Sequence, residues 1–279
     1  MSARTPQAWV EGIALWAPRL PGWDVASEVL AGRRAAPEAP APRPTPSLLP
    51  PNERRRAPDS VAVSLEVASR ACAHAGVDPA TLPSVFASTH GDLAITDYMC
   101  QTLASSPSLL SPTRFHNSVH NAAAGYWTIA IGCMAPYTAL SAHEHSFAGG
   151  LLEALTQAQA DGQPVLYVAY DIEARGPLAA MAPSRYPLGA ALVLSPSRTP
   201  RSRALLHWRL RPAPAPRDPQ PRDANRTLVE GNAMARCLPL FEALALGHGE
   251  IGYPVGPQVE LALGIQVLAG ATLDEALHG

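Results

Sequence analysis

Residues 111–153 read SPTRFHNSVHNAAAGYWTIAIGCMAPYTALSAHEHSFAGGLLE. Pro112 breaks the chain, and small residues from Asn121 to Gly125 lead into an apolar stretch ending at Ile131. A Gly-Cys-Met-Ala-Pro turn then feeds a short β-prone run, Tyr137 to Leu140. That run stops abruptly at Ser141-Ala142-His143-Glu144-His145, and an Ala/Gly/Leu-rich helix follows. Helix, turn, strand, sharp corner, helix is the layout of a nucleophile elbow, where one side chain is exposed at the N-terminus of a buried helix. The tip of this corner carries neither Cys nor Ser; it carries His143.

Outward from the elbow the same alternation continues. Ala8 to Trp16 alternates as a first strand, and Asp24 to Leu30 suits a short helix with Asp24 as N-cap. Residues 33–51 are rich in Pro and Ala and read as an extended loop. Arg54-Arg55-Arg56 follows, as a solvated charge run or an anion-facing loop. Asp59 to Ala75 has helical apolar spacing and ends at Gly76. Ser84 to Ser88 reads as a buried strand, with His90 after it as a hydrogen-bonded structural residue, and Leu93 to Leu103 as a helix.

Beyond the elbow, Val165 to Tyr170 is a strand apolar on both faces, and Asp171 and Glu173 lie just past it. Pro187 to Leu194 and Arg203 to Leu210 are further strands, and residues 212–225 form a second Pro-rich loop. Leu228 to Leu246 suits a helix kinked at Pro239, Val259 to Ile265 a last strand, and the end of the chain a short helix. No internal repeat is visible. Strands separated by helices predict an α/β fold, with a mixed, mostly parallel sheet covered by helices on both faces.

Composition narrows the function. Of 279 residues, 47% are apolar and 16% charged, with a formal net charge of −2, so no nucleic-acid footprint is present. All 21 basic residues are Arg, which removes Schiff-base chemistry and any Walker-type phosphate Lys. Cys72, Cys100, Cys133 and Cys237 are scattered without CxxC spacing, as expected of reduced thiols in a cytoplasmic protein. No secretory signal is expected from MSARTPQAWVEG, and no apolar run reaches the roughly 18 residues of a transmembrane helix.

Three readings of the polar residues compete. His116 and His120 are four apart and would share one helix face, and with His143 and His145 they could hold zinc, although no HExxH pattern is met. Ser141, His143 and Asp171 could form a hydrolase triad, although the GxSxG pattern is absent. These two readings make a His-based hydrolase or metal enzyme of the elbow. The third makes the small-residue helix from Asn121 to Gly125 a packing surface, which also suits a homodimeric scaffold.

The order of these motifs resembles the N-terminal half of a β-ketoacyl synthase, a condensing enzyme of the thiolase fold. PTRFHNSVHNAAAG (112–125) resembles the family's dimer-interface and acyl-pocket segment. Gly132 to Leu152 resembles its Thr-Ala-Cys elbow, Val165 to Glu173 its Gly-Gly-x-Glu strand, and Leu188 to Leu194 its Gly-Glu-Gly-Ala strand. The resemblance covers residues 8–195. It implies a synthase-like domain over 1–195, a short extension over 196–279 packing on it, and a C-terminal half largely missing.

Within the family, the likeness is to short chain-length factors, including those of aryl polyene-type pigment pathways. It places His143 where the acylated Cys would be, with Ser141, Glu144 and His145 as neighbours. Of the His that follow, His207, His248 and His278, none lies in a recognisable motif. A condensing enzyme needs a thiolate at the elbow tip, and an imidazole cannot hold a stable acyl thioester. The resemblance therefore implies no cofactor, no metal, and a partner role beside a Cys-bearing ketosynthase subunit served by an acyl carrier protein. Ile95, Tyr98, Met99, Arg114, Phe115, His116, His120, Asn121 and Gly125 would line the pocket or the partner interface.

Overall fold

The computed structural model describes residues 6–269 except 214 and 216. His278 and the expected terminal helix lie outside the described residues. Strands are β1 (Gln7–Ala17), β2 (Leu20–Pro21), β3 (Ser84–Ala87), β4 (Tyr137–Leu140), β5 (Val165–Asp171), β6 (Leu188–Ser195), β7 (Ala204–Pro212), β8 (His248–Gly256) and β9 (Val259–Val267). Helices are α1 (Trp23–Leu30), α2 (Pro51–Arg56), α3 (Asp59–Ala75), α4 (Leu93–Ser105), α5 (Pro112–His116), α6 (Ala122–Ile131), α7 (Ser146–Asp161), α8 (Leu178–Met181), α9 (Asp223–Arg226) and α10 (Leu238–Leu246).

One sheet runs β4-β3-β5-β6-β1-β7-β9-β8, with β2 paired to β1. The expected mixed sheet with helices on both faces is present. Its expected parallel majority is not: β3 is parallel to β4 and β5, and the other described ladders are antiparallel. The cause is connectivity. The links from β8 to β9 and, through α8, from β5 to β6 join neighbouring antiparallel strands, and β1 runs antiparallel to both β6 and β7, between which it lies.

Two apolar clusters fill the faces. Val61, Leu65 and Ala68 of α3 pack with Trp127 of α6 on one side. On the other, Trp23 of α1, Leu151 of α7 and Phe241 of α10 share a core. Helix α3 lies close on β1 because Gly12 has no side chain: a Cβ there would stand 2.1 Å from the Ala71 carbonyl oxygen. Gly76, at φ 62, ends α3 where the sequence places its stop.

Several boundaries differ from the sequence reading. Asp24 does not cap α1; Gly22 holds that position. The Leu228 to Leu246 helix contracts to α10, with Pro239 in its first turn, where a missing N–H costs nothing. His116 ends α5 and His120 lies in the turn before α6, so the pair shares no helix. Arg54 folds back on the Ser47 and Leu49 carbonyls, which removes it from an anion-facing surface.

The second part of the chain repeats the first. β1, α7, β5 and β6 occur in that order as a strand, a helix and two strands, with other elements between them, and β6 lies between β1 and β5 in the sheet. β7, α10, β8 and β9 do the same, with β9 between β7 and β8. β1 and β7 meet in the middle, antiparallel over Gln7–Val10 and Ala204–His207. The segment expected as an extension is thus a reduced copy on the same sheet, with no counterpart of β3 or β4 among the described residues. β8 carries Pro254 and a register shift between Pro254 and Gly256.

Candidate functional site

β3, β4 and β5 run in parallel, and their C-terminal ends gather the loops that build the elbow. Between β4 and α7 the chain turns at His143, which has φ 51, a left-handed conformation costly for any residue with a Cβ. Ser141 to Glu144 are exposed, and the first turn of α7 behind them, from Ser146 to Ala148, is buried. The corner is held from below. Ser146 Oγ accepts from the Ala142 amide at 3.0 Å and donates to the His143 carbonyl at 2.6 Å.

A second loop supports it. The Asp171 carboxylate is fully buried at the end of β5 and accepts from Ser88 Oγ at 2.7 Å, the Thr89 amide at 3.0 Å and the His90 amide at 3.1 Å. Burial raises its pKa, and the three donors oppose that rise. Ser141 Oγ donates to the Thr89 carbonyl at 3.0 Å, and His120 Nε2 donates to the Ser88 carbonyl at 3.0 Å. Asp171 therefore fixes the Ser88–Gly91 loop, and that loop receives both the elbow and His120.

These contacts decide the competing chemistries. Ser141 and Asp171 both engage the Ser88–His90 loop and neither hydrogen-bonds to His143, so the triad is not assembled. Among the described residues no group of three or more His, Cys, Asp or Glu could hold a metal ion. Cys133 is buried with Sγ 3.6 Å from the Leu82 carbonyl, a packing residue. Burial pushes the Cys72 thiol up to about 12 and Cys237 higher still. Cys100 is exposed on α4, an element well before the elbow in sequence.

The residues expected at a partner interface form an outlying arm and an edge. On α4 only Ile95 is buried; Met99 is half-buried, and Phe115 of α5 is 57% exposed. Arg114 stacks 4.0 Å over the Tyr98 ring, and the Tyr98 hydroxyl accepts from the Ser111 amide at 3.1 Å, joining α4 to α5. His116 meets Tyr126 edge-on, and the exposed Asn121 side chain donates to the Tyr137 hydroxyl at 3.0 Å. Gly125 is half-buried on α6, where Ile129 is 80% exposed; Met134 beyond it is 94% exposed. Beside them β4 is an open sheet edge.

Sequence reasoning missed two contributors. Asn232 is buried and donates to the Arg185 and Tyr186 carbonyls at 2.8 and 2.7 Å, holding Tyr186 at φ 40. Arg236 reaches the elbow itself: its guanidinium donates to the Glu144 carbonyl at 2.6 Å and carboxylate at 3.1 Å, and pairs with Asp218 at 2.8 Å. Arg236 holds the Glu144 carboxyl below its usual range, whereas burial raises that of Asp218. No local signal in sequence joins these residues.

A half-thiolase α/β/α layering with a strained strand-to-helix corner defines a β-ketoacyl synthase-type domain. The family model for the β-ketoacyl synthase N-terminal domain matches residues 28–239, and the chain belongs to that family. No curated protein matches the chain in sequence.

Among solved structures, a ketosynthase in complex with its chain length factor from Xenorhabdus doucetiae matches with a TM-score of 0.70 at 21% identity, covering 92% of this chain and 99% of that one. The ishigamide ketosynthase/chain length factor matches with a TM-score of 0.68 at 13% identity, over 94% of this chain and 100% of that one. A β-ketoacyl synthase from Burkholderia phymatum STM815 gives 0.65 at 11%, over 95% and 100%. At these identities the likeness is one of fold. No described helix is long and apolar enough to cross a membrane.

Proposed function

We propose that this chain is a chain-length factor: it pairs with a Cys-bearing ketosynthase and shapes the cavity in which that enzyme extends an acyl chain. An acyl carrier protein delivers the chain to the pair, and the product belongs to the polyene or fatty-acid type, aryl polyenes included. The observation that carries the reading is the elbow itself. The strained corner of a condensing enzyme is retained, with φ 51 at its tip, but the tip is His143. A condensing enzyme holds its acyl group as a thioester, which a thiolate can form and an imidazole cannot.

The exposed arm and edge support a partner role. Leu109 at 73% and Phe115 at 57% exposure lie on the arm, Ile129 at 80% and Met134 at 94% lie toward β4, and the outer edge of β4 pairs with no strand among the described residues. Such a surface marks an interaction site.

Co-expression with the ketosynthase encoded nearest to it, followed by size-exclusion chromatography and product analysis, tests the reading. The expected result is a one-to-one complex whose product length changes on Phe115→Ala or Met99→Ala. Separate elution beside a ketosynthase fully active alone overturns it, as does condensation of acyl and malonyl thioesters by this chain alone.

A further inference from the structure

The elbow is locked from the second repeat. Three elements converge on Arg236, whose side chain is 28% exposed: the elbow through Glu144, residues 217–222 through Asp218, and the turn before α10 that carries Arg236 itself. The elbow link is two-fold, since one guanidinium takes both the backbone carbonyl and the carboxylate of Glu144. His145 extends the cluster, with Nε2 3.9 Å from the Glu144 carboxylate and Nδ1 buried without a hydrogen-bond partner. An isolated surface pair would add little, but a partly buried guanidinium shared by two carboxylates and a carbonyl constrains geometry as well as charge.

Residues 217–222 are otherwise fixed at their far end, where the Arg222 amide donates to the buried Glu242 carboxylate at 3.1 and 3.2 Å. Gln220 donates only to the Asp218 carbonyl, within the same segment. Asp218 is thus the contact that fastens this strap toward the elbow.

We propose that Arg236 is the positioning residue of the elbow. It sets the corner around His143 by holding Glu144 and, through Asp218, ties the 217–222 strap to the same point. Elbow and strap then share one lock, supplied by the reduced repeat. This inference does not depend on which partner the chain takes.

Hydrogen–deuterium exchange of the full chain, read by mass spectrometry, tests it. Arg236→Gln is expected to speed exchange about tenfold at the 142–149 amides and in the 217–222 strap, as follows from losing hydrogen bonds to charged groups. The amides of β5 and β6 stay unchanged, and Arg236→Lys restores part of the protection. Asp218→Asn frees the strap and leaves the elbow protected; Glu144→Gln loosens the elbow and leaves the strap. Unchanged elbow exchange in Arg236→Gln overturns the proposal. So does a uniform rise that includes β5 and β6 while Glu144→Gln leaves the elbow as it was.

Discussion

Ser146 closes the elbow on His143, its hydroxyl 2.6 Å from the His143 carbonyl oxygen while it accepts from Ala142. One side chain thus satisfies a donor and an acceptor across a corner that the His145 and Ser146 amides also close, on the Ala142 and His143 carbonyls at 2.9 and 3.1 Å. Ser146→Ala should cost roughly 1 kcal/mol, because the Ala142 amide loses its acceptor while the His143 carbonyl keeps the Ser146 amide. A urea melt reads this as a lower midpoint with an unchanged slope.

His143 is exposed and left-handed, so its side chain contributes strain without burial. His143→Gly should stabilise the isolated chain by about 1 kcal/mol, and His143→Val should destabilise it by a similar amount. The two midpoints falling on opposite sides of the parent is the outcome to check. A shift in the same direction for both would show that the imidazole makes contacts of its own.

Gly150 allows α7 to lie against β3 and β5. A Cβ there would stand 2.6 Å from Ala87 Cβ and 2.8 Å from Tyr167 Cε2, in a region closed by Phe147 and Tyr167. Gly150→Ala should cost about 1–3 kcal/mol despite the better helix propensity of Ala. Thermal unfolding gives the answer, and a stabilised variant would mean the helix can shift freely.

On β4, Pro136 and Leu140 accept from β3, so by the alternation of a ladder the Ala139 amide faces away from the sheet. Ala139→Pro should preserve the circular dichroism and melting of the chain alone and abolish co-elution with its partner. Retained co-elution would place the partner elsewhere.

His74 lies half-buried against Ile13, and burial, reinforced by Arg203, lowers its pKa below the ordinary 6.5. The folded state thus resists a proton that the unfolded chain accepts. Stability should be fully present above about pH 6.5 and fall as the pH drops below it, until the folded ring also titrates. Melts in steps from pH 7.5 to 5.5 should show this decline, flattened in His74→Gln.

Most of the first repeat was legible because its signals are local. Gly76 ends α3, Gly162 ends α7, and the apolar run from Val165 forms a strand buried on both faces. In the second repeat β7, β9 and the core of α10 were legible too, and β8 was not. β8 contains Gly249, Gly252 and Pro254, residues that weaken any strand pattern, and it forms because β9 pairs along it and α10 covers it. The apolar run before α10 suggested a longer helix, but a Pro in the first turn marks a start more readily than a kink. Of the site, the elbow and its His tip were readable from order and spacing. The Arg236 contact spans 92 residues, and no periodicity reports a pairing at that distance.

The reduced repeat also governs how far association can proceed. β4 offers free backbone groups at one margin of the sheet, whereas at the other β8 carries Pro254 and an irregular register. Proline cannot donate and a bulge twists the margin away from a docking strand. A partner joined at β4 should therefore end the array, giving closed pairs instead of fibrils.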